Sequence, residues 1–206
     1  MFKNREDAAC QLATRLDTYR RQSPLVLAIP RGAVPMGRRL ADLLEGDFDV
    51  VLVRKLQAPY QPELAIGAID ENGWCTIAPY AAAMGADSRY IDAEKRRQLQ
   101  VLQARRAMYS PLRTPIDPAG RIVIVVDDGL ATGATMTAAL HSVRQHRPAR
   151  LVCAVPVASR EALERIRPLA DEMVCLQVPD DFQAVGQFYR DFHQIEDEEV
   201  IRLLKS

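Results

Sequence analysis

The stretch Arg121-Ile-Val-Ile-Val-Val-Asp-Asp-Gly-Leu-Ala-Thr-Gly-Ala-Thr135 decides the fold. It begins with an apolar, β-branched run over residues 121–126, which is typical of a buried strand. Two adjacent carboxylates follow, and then a turn of small residues leads into a helix predicted over 135–146. Ligands of open α/β sheets bind where a strand ends in such a loop, so this stretch predicts a binding site.

The same strand-turn-helix unit recurs along the chain, with the helix over 34–44 and the helix after Ser159 as its clearest repeats. Short, uniformly apolar strands that alternate with helices predict an α/β fold with a Rossmann-like parallel sheet core. A further helix over 4–19, capped by Asn4, is expected to pack on this core. The other strands are predicted over 24–29, 48–53, 151–157 and 172–178.

Two segments lie outside this rhythm. We expect an inserted flap over residues 57–115, with a hairpin turn at Asn72-Gly73 and a long helix over 87–109. We also expect a small C-terminal hood over 179–206, which ends in an acidic helix that starts near Asp197. The whole chain, residues 1–206, is then one domain with a lid.

The composition excludes several classes of partner. The 206 residues are 48% hydrophobic, and 27 Lys and Arg balance 27 Asp and Glu. Proteins that bind nucleic acid or anionic membranes usually carry a basic excess, so we expect neither partner. The N-terminal stretch is charged and lacks the apolar run of a signal peptide or anchor, and the four cysteines form no C-x-x-C pair. These features favour a cytoplasmic protein with reduced cysteines.

The loop after residue 126 has the composition of a phosphate cradle. Small residues such as Gly129 and Gly133 let backbone N–H groups approach an anion, and Thr132 and Thr135 add hydroxyl donors near a helix N-terminus. A Walker A loop is excluded because no Lys-Ser/Thr follows Gly133, and no G-x-G-x-x-G is present. The bland alternative is a buried strand that ends in a surface turn, but the combined pattern is far more specific.

Asp127 and Asp128 need a partner other than the phosphate, which they would repel. Carboxylates accept hydrogen bonds from vicinal sugar hydroxyls, and they also approach Mg²⁺ that is shared with a ligand. The residues alone leave both possibilities open.

Residues 123–135 resemble the signature of the type I phosphoribosyltransferases, which bind 5-phosphoribosyl 1-pyrophosphate (PRPP) and Mg²⁺. Further matches make the chain similar to free-standing phosphoribosyltransferase-domain proteins, a subgroup whose substrate is generally not established. Gln57 departs from the subgroup, which typically has glycine there. The further matches lie at residues 28–35, 53–56, 62–67 and 189–192.

The resemblance implies a role for each matching position. Asp127 and Asp128 would bind the ribose hydroxyls and the metal, and the pyrophosphate loop would contain Arg31 and Gly32, with the Arg31–Gly32 peptide bond cis or strained. Basic residues at Arg54 and Lys55 would reach the pyrophosphate. The 5′-phosphate would bind Ala131, Thr132, Gly133, Ala134 and Thr135, and the candidate catalytic residues are Arg31, Lys55, Glu63 and Asp128.

The acceptor pocket is expected under the C-terminal hood, where Phe182, Phe188 and Tyr189 are candidates to stack on a purine-like base. Aromatic residues at such spacing are more often part of a core. Glu63 is equally well interpreted as a base toward the acceptor or as a solvated carboxylate. The family also implies a homodimer.

Two functions remain open at this point. The first is a Mg²⁺-dependent phosphoribosyltransferase that acts on a nitrogenous acceptor. The second is a regulatory module that binds PRPP or a nucleotide without turnover. Retention of Arg31-Gly32, Arg54-Lys55 and the long insertion favours the enzyme, because a sensor could lose its leaving-group contacts.

Overall fold

The computed structural model describes residues 1–109 and 115–205, apart from the side chains of Pro62 and Glu63. Within these residues, eight strands form two sheets. The strands are β1 (Leu25–Ala28), β2 (Asp47–Val50), β3 (Val53–Ala58), β4 (Gln61–Asp70), β5 (Cys75–Ile77), β6 (Ile122–Val126), β7 (Arg150–Val157) and β8 (Glu172–Gln177). The described helices are α1 (Arg5–Arg15), α2 (Val34–Leu44), α3 (Ser88–Tyr109), α4 (Ala134–Gln145), α5 (Arg160–Ile166) and α6 (Asp197–Lys205).

The central sheet confirms the predicted Rossmann-like α/β core. Its five strands are all parallel, in the order β2-β1-β6-β7-β8. Alternate residues of each strand enter two separate apolar clusters, so that Val26 and Ile124 contact the α1 and α2 side while Leu27 and Val125 contact the α4 and α5 side. The near-continuous apolar runs follow from this burial on both faces.

The N-terminal helix is capped as predicted, because the Asn4 side chain accepts a hydrogen bond from the amide of Asp7 at 2.9 Å. The helix ends at Arg15, earlier than expected, and Asp17–Tyr19 form a separate turn of 3₁₀ helix. α1 packs on α2 and reaches β7 and β8. Its first turn lies near the carboxyl edge of the sheet, where Arg5 contacts Asp128.

The expectation of one strand over 48–53 is wrong. β2 ends at Val50, and Val53 begins β3, which pairs with β4 in a second, antiparallel sheet. No break in the apolar run marks this change of sheet, because the change depends on tertiary packing. The hairpin over Asn72-Gly73 is confirmed: β4 pairs with β5 in antiparallel register, with Ile69 opposite Cys75.

The insertion packs tightly on the rest of the molecule. Ile66 and Leu102 are buried in the same apolar cluster as α2, and β4 contacts α4. Among the described residues, every helix is too short or too polar to cross a lipid bilayer. The closing motion of the insertion stays a prediction.

The hood joins the two ends of the chain. The amide of Phe2 donates to the carbonyl of Phe188 at 2.8 Å, and the amide of Arg190 donates to the carbonyl of Phe2 at 2.9 Å. The ring of Phe2 also contacts Tyr189, with 5.3 Å between ring centroids. The N-terminal residues and the hood therefore form one layer.

Gly37 fixes how closely α2 approaches the sheet, which makes it a test of the packing. A Cβ at this position would lie 2.7 Å from the Cβ of Ala28 and 3.0 Å from the Phe48 ring. Gly37→Ala gains about 1 kcal/mol in helix propensity but costs about 1–3 kcal/mol through overpacking. We expect a net loss of unfolding free energy in urea denaturation.

Arg39→Ala is the matched control, because Arg39 lies on the exposed face of the same helix. Its unfolding free energy should change by less than about 0.5 kcal/mol. A Gly37→Ala protein as stable as the wild type would contradict the packing described above.

Candidate active site

Two loops meet at the carboxyl edge of the sheet because β1 and β6 are neighbours in it. Ala28 lies opposite Val126, and the amide of Ile29 donates to the carbonyl of Val126 at 3.1 Å. The loop at Arg31-Gly32 and the loop that starts at Asp127 therefore leave the sheet side by side. This edge is where ligands of open α/β sheets bind.

The loop after β6 is shaped by α5. Ser159 Oγ donates to the carbonyl of Ala131 at 2.7 Å, and Arg165 Nη1 donates to the carbonyl of Thr132 at 2.9 Å. In a trans peptide the following N–H points away from the carbonyl. The amides of Thr132 and Gly133 consequently point away from α5.

Gly133 completes the cradle, with a left-handed backbone (φ 74°) at the N-cap of α4. Thr132 Oγ1 accepts from the amide of Ala134 at 3.4 Å, and the Gly133 position itself offers no side-chain cap. The first turn of an α-helix carries N–H donors without helical partners, and these attract anions. Ala131 and Thr132 are exposed and Thr135 is half-buried, so the predicted phosphate loop is accessible to a ligand.

The acidic pair lies directly before this loop. Asp127 Oδ1 accepts a hydrogen bond from the amide of Asp128 at 2.9 Å. Burial raises the pKa of Asp127 well above its usual value, and the neighbouring Asp128 charge acts in the same direction. Burial also raises the pKa of Asp128, although Arg5 opposes this shift.

Arg5 is a member of the site that the sequence did not indicate. Its side chain lies in the first turn of α1 and is only 7% exposed, and Nε and Nη2 each lie 3.0 Å from Asp128 Oδ2. The two residues are 123 positions apart in the sequence. The only local sign was a basic residue at the start of an amphipathic helix.

Arg31 and Gly32 are the residues that the resemblance assigns to the pyrophosphate loop. Arg31 Nη1 is 3.3 Å from Glu196 Oε2 and 3.8 Å from Asp197 Oδ2, so the hood supplies its partners. A Cβ on Gly32 would lie 2.3 Å from Asp128 Oδ2, so any larger residue at this position would displace the Asp128 carboxylate. The cis peptide bond joins Pro30 to Arg31, one residue before the bond that the resemblance indicates.

The structure separates Arg54 from Lys55. Arg54 Nε donates to Gln98 Oε1 of α3 at 2.5 Å, and burial lowers the pKa of Arg54. Side chains alternate along a strand, so Lys55 shares a face with Val53, which packs on the α4 cluster. Lys55 is exposed and forms no hydrogen bond or ion pair with the described residues.

The predicted acceptor aromatics divide into two kinds. Phe182 and Phe188 are half-buried, with their ring centroids 5.5 Å apart. Tyr189 is 5% exposed, stacks on Phe192 at 4.9 Å, and donates from its hydroxyl to the carbonyl of Asp128 at 2.7 Å. Tyr189 thus holds the backbone of Asp128 in place through this hydrogen bond. The side chain of Glu63, the candidate base, lies outside the described residues.

The predicted metal position is at the acidic pair, Asp127 and Asp128. Across residues 1–109 and 115–205, no three His, Cys, Asp or Glu side chains come together as a metal cluster. Mg²⁺ commonly binds proteins through one or two carboxylates together with substrate phosphates and water. Asp127 and Asp128 fit that mode, since they adjoin the predicted phosphate cradle.

Comparison with known proteins identifies the family of this chain. A family model described as phosphoribosyl transferase domain matches residues 3–193. Two curated proteins from Mycobacterium tuberculosis strains, both named "Putative phosphoribosyl transferase", are 42% identical over 205 residues, which are 99% of this chain and 46% of theirs. The chain therefore spans about half the length of these curated relatives.

One solved structure is similar over nearly the full length of both chains. The crystal structure of TT1426 from Thermus thermophilus covers 98% of this chain and 97% of its own, with 46% identity and a TM-score of 0.87. The central sheet and the insertion therefore have an experimentally solved counterpart.

Ser159 offers a test of the loop, because its Oγ both caps α5 and holds the carbonyl of Ala131. Ser159→Ala should lower the unfolding free energy by about 1 kcal/mol through the lost cap. It should also weaken binding of inorganic phosphate several-fold, since the loop loses a fixed carbonyl. Urea denaturation and calorimetric titration measure the two effects.

Asp87→Ala is the matched control, since Asp87 Oδ1 accepts from the amide of Tyr90 at the start of α3, in the insertion. It should lose similar stability and keep its phosphate affinity. Equal phosphate affinities in both variants would mean that α5 does not shape a phosphate site.

Proposed function

Because this chain belongs to the phosphoribosyltransferase family, we propose that it transfers the phosphoribosyl group of PRPP to a nitrogenous acceptor and releases pyrophosphate. The observation that carries the proposal is the β1–β6 register, which brings the Arg31-Gly32 loop against Asp128 and the phosphate cradle. A phosphate, a diol and a pyrophosphate group of one ligand could each find a partner along this edge.

In this proposal each group of PRPP meets a different part of the edge. The 5′-phosphate binds the amides and hydroxyls of residues 131–135. The ribose 2′- and 3′-hydroxyls donate to Asp127 and Asp128. The pyrophosphate binds Arg31 and Gly32, while Lys55 approaches from the second sheet. Arg54 lies on the opposite face of β3, so it would join them only after giving up its hydrogen bond to Gln98.

The reaction breaks the bond between C1 of the ribose and the pyrophosphate oxygen, and forms a bond from C1 to the acceptor nitrogen with inversion. Positive charge develops on the sugar ring and negative charge on the leaving group. Arg31 and Lys55 stabilise the leaving group by charge and hydrogen bonding. Holding both reactants in line supplies much of the remaining rate enhancement.

Mg²⁺ supplies charge neutralisation of the pyrophosphate when it is bound with PRPP. Asp127 and Asp128 would hold it together with oxygen atoms of the substrate and water. Asp128 Oδ2 already accepts from Arg5, and Asp127 Oδ1 accepts from the amide of Asp128, so Asp127 Oδ2 and Asp128 Oδ1 are the oxygens available to it.

The acceptor in this proposal is a flat, purine-like base. The half-buried rings of Phe182 and Phe188 are the candidates to stack on it, while Tyr189 is buried and holds the backbone of Asp128. Glu63 takes the proton that leaves the acceptor nitrogen, or orients that nitrogen. The insertion over 57–115 closes over the site and excludes water, which would otherwise hydrolyse PRPP.

We also propose a cytoplasmic homodimer. All four cysteines are free, as is usual in a reducing compartment. Five of the large exposed apolar side chains lie in the insertion and give it surface for a second copy: Tyr60, Ile77, Tyr80, Val101 and Met108.

Pyrophosphate release tests the enzyme directly. The protein is incubated with PRPP, Mg²⁺ and a panel of nucleobases, and turnover with at least one base is expected. Asp128→Asn and Thr132→Ala should each weaken PRPP binding at least tenfold, because each removes a ligand contact of about 1.5 kcal/mol or more. Asp181→Asn, an exposed change in the hood, should leave binding unchanged.

Tight PRPP binding without turnover on any base would reject the enzyme with a nucleobase acceptor and favour the sensing module. Unchanged PRPP affinity in Asp128→Asn and Thr132→Ala would mean that the site lies elsewhere.

Arg31 must exchange partners before it can bind pyrophosphate, because Glu196 and Asp197 hold it in the hood. Glu196→Gln should therefore raise the affinity for pyrophosphate by about two- to fivefold, which corresponds to an exposed ion pair of up to about 1 kcal/mol. Titration calorimetry with pyrophosphate measures the change. Glu198→Gln removes the same charge two residues away, from an exposed side chain, and should have a smaller effect.

A further inference from the structure

Arg5 is a buried, charged residue in the first turn of α1. Its Nη1 donates to the carbonyl of His193 at 2.9 Å, and its guanidinium lies over the ring of Phe192, with 4.0 Å from Cζ to the centroid. Arginine is rarely buried unless it is paired. Its ionic partner here is Asp128, one of the two candidate ligands of the ribose hydroxyls.

Arg5 contacts only one of the two carboxylate oxygens of Asp128. Nε of Arg5 donates to Oδ2 of Asp128 and Nη2 lies 3.0 Å from the same oxygen, while no side chain of the described residues donates to Oδ1. Gly32 closes off the space beside Oδ2, where even a Cβ would lie 2.3 Å away. The Asp128 carboxylate is therefore held through one oxygen and presents the other.

The backbone of Asp128 is fixed as well. Its carbonyl accepts from the hydroxyl of Tyr189 at 2.7 Å, and Tyr189 in turn stacks on Phe192, beneath the Arg5 guanidinium. Phe192 thus contacts both residues that hold Asp128. The N-terminal helix and the hood position the carboxylate together.

Arg5 also supplies the charge that the acidic pair lacks. Two neighbouring carboxylates in a partly buried site repel each other. The guanidinium lies against one of them and offsets this repulsion.

We propose that Arg5 is a positioning residue for the ribose diol: it holds Asp128 by Oδ2 so that Oδ1 faces the sugar hydroxyls. This inference rests on the proposed function, since it assigns a task within the same site. Arg5 touches neither the phosphate nor the leaving group in this arrangement. Its loss should affect ligands that carry the diol, and no others.

Ribose 5-phosphate and 2-deoxyribose 5-phosphate distinguish binding through the diol from binding through the phosphate, because they differ in one hydroxyl and share the phosphate. Calorimetric titration of the full chain gives the affinity ratio of the two ligands. The wild type should prefer ribose 5-phosphate by about tenfold. Arg5→Gln should reduce the ratio to below about twofold and leave the affinity for the deoxy sugar unchanged.

Two further variants make the measurement decisive. Arg5→Lys keeps the charge but cannot reproduce the forked contact, so its ratio should fall between those of the wild type and Arg5→Gln. Arg5→Lys replaces Arg5→Gln in the test if Arg5→Gln does not fold. Thermal unfolding of each variant measures whether it folds. Arg15→Gln removes an exposed arginine from the same helix and should keep the wild-type ratio.

A wild-type ratio in Arg5→Gln, or in Arg5→Lys where the former does not fold, overturns the inference. An equal loss of affinity for both sugar phosphates in Arg5→Gln also overturns it, because such a loss indicates a structural role only. A wild-type protein that binds neither PRPP nor ribose 5-phosphate rejects the proposed function itself. A wild type that binds PRPP but does not discriminate the two sugars rejects the inference alone.

Discussion

The parallel pairing of β1 with β6 is the contact on which the site depends. These strands connect segments that are about a hundred residues apart, and their register sets Ala28 beside Val126. A shift of one residue would turn every side chain of a strand to the opposite face. The burial of both faces by separate apolar clusters therefore determines where the Arg31 loop and the acidic pair meet.

The two ends of the chain complete this edge. α1 brings Arg5 to Asp128, and the hood brings Tyr189 to the same residue and Glu196 to Arg31. The backbone hydrogen bonds of Phe2 with Phe188 and Arg190 join the two ends into one layer. The charged side chains of the site are thus balanced locally, within a chain whose net charge is zero.

The core could be predicted because its signals are local. An apolar run followed by small residues marks β6 and its loop, and the bounds of α2 agree with the prediction because Pro35 lies at its start and Glu45 adopts the left-handed cap. The change of sheet at residues 51–52 could not be predicted, since the apolar run continues through it. Had β3 been recognised, strand alternation would have placed Arg54 and Lys55 on opposite faces.

Arg5 could not be found from sequence, because its partner is distant along the chain and its own helix looks like an ordinary amphipathic one. The hood contacts of Arg31 are of the same kind, since Glu196 belongs to an acidic tail that the sequence marks only as a helix start. Roles that depend on burial and on long-range pairing become visible only with the fold.

The hold of α5 on the loop after β6 has an entropic consequence. Ser159 and Arg165 fix the carbonyls of Ala131 and Thr132 through contacts made within the protein itself. An anion that binds the opposite side of these peptides meets donors that are already preorganised, so little conformational freedom is lost on association. Affinity for a small phosphate group can then come from a few amides, and the loop needs no induced ordering to recognise it.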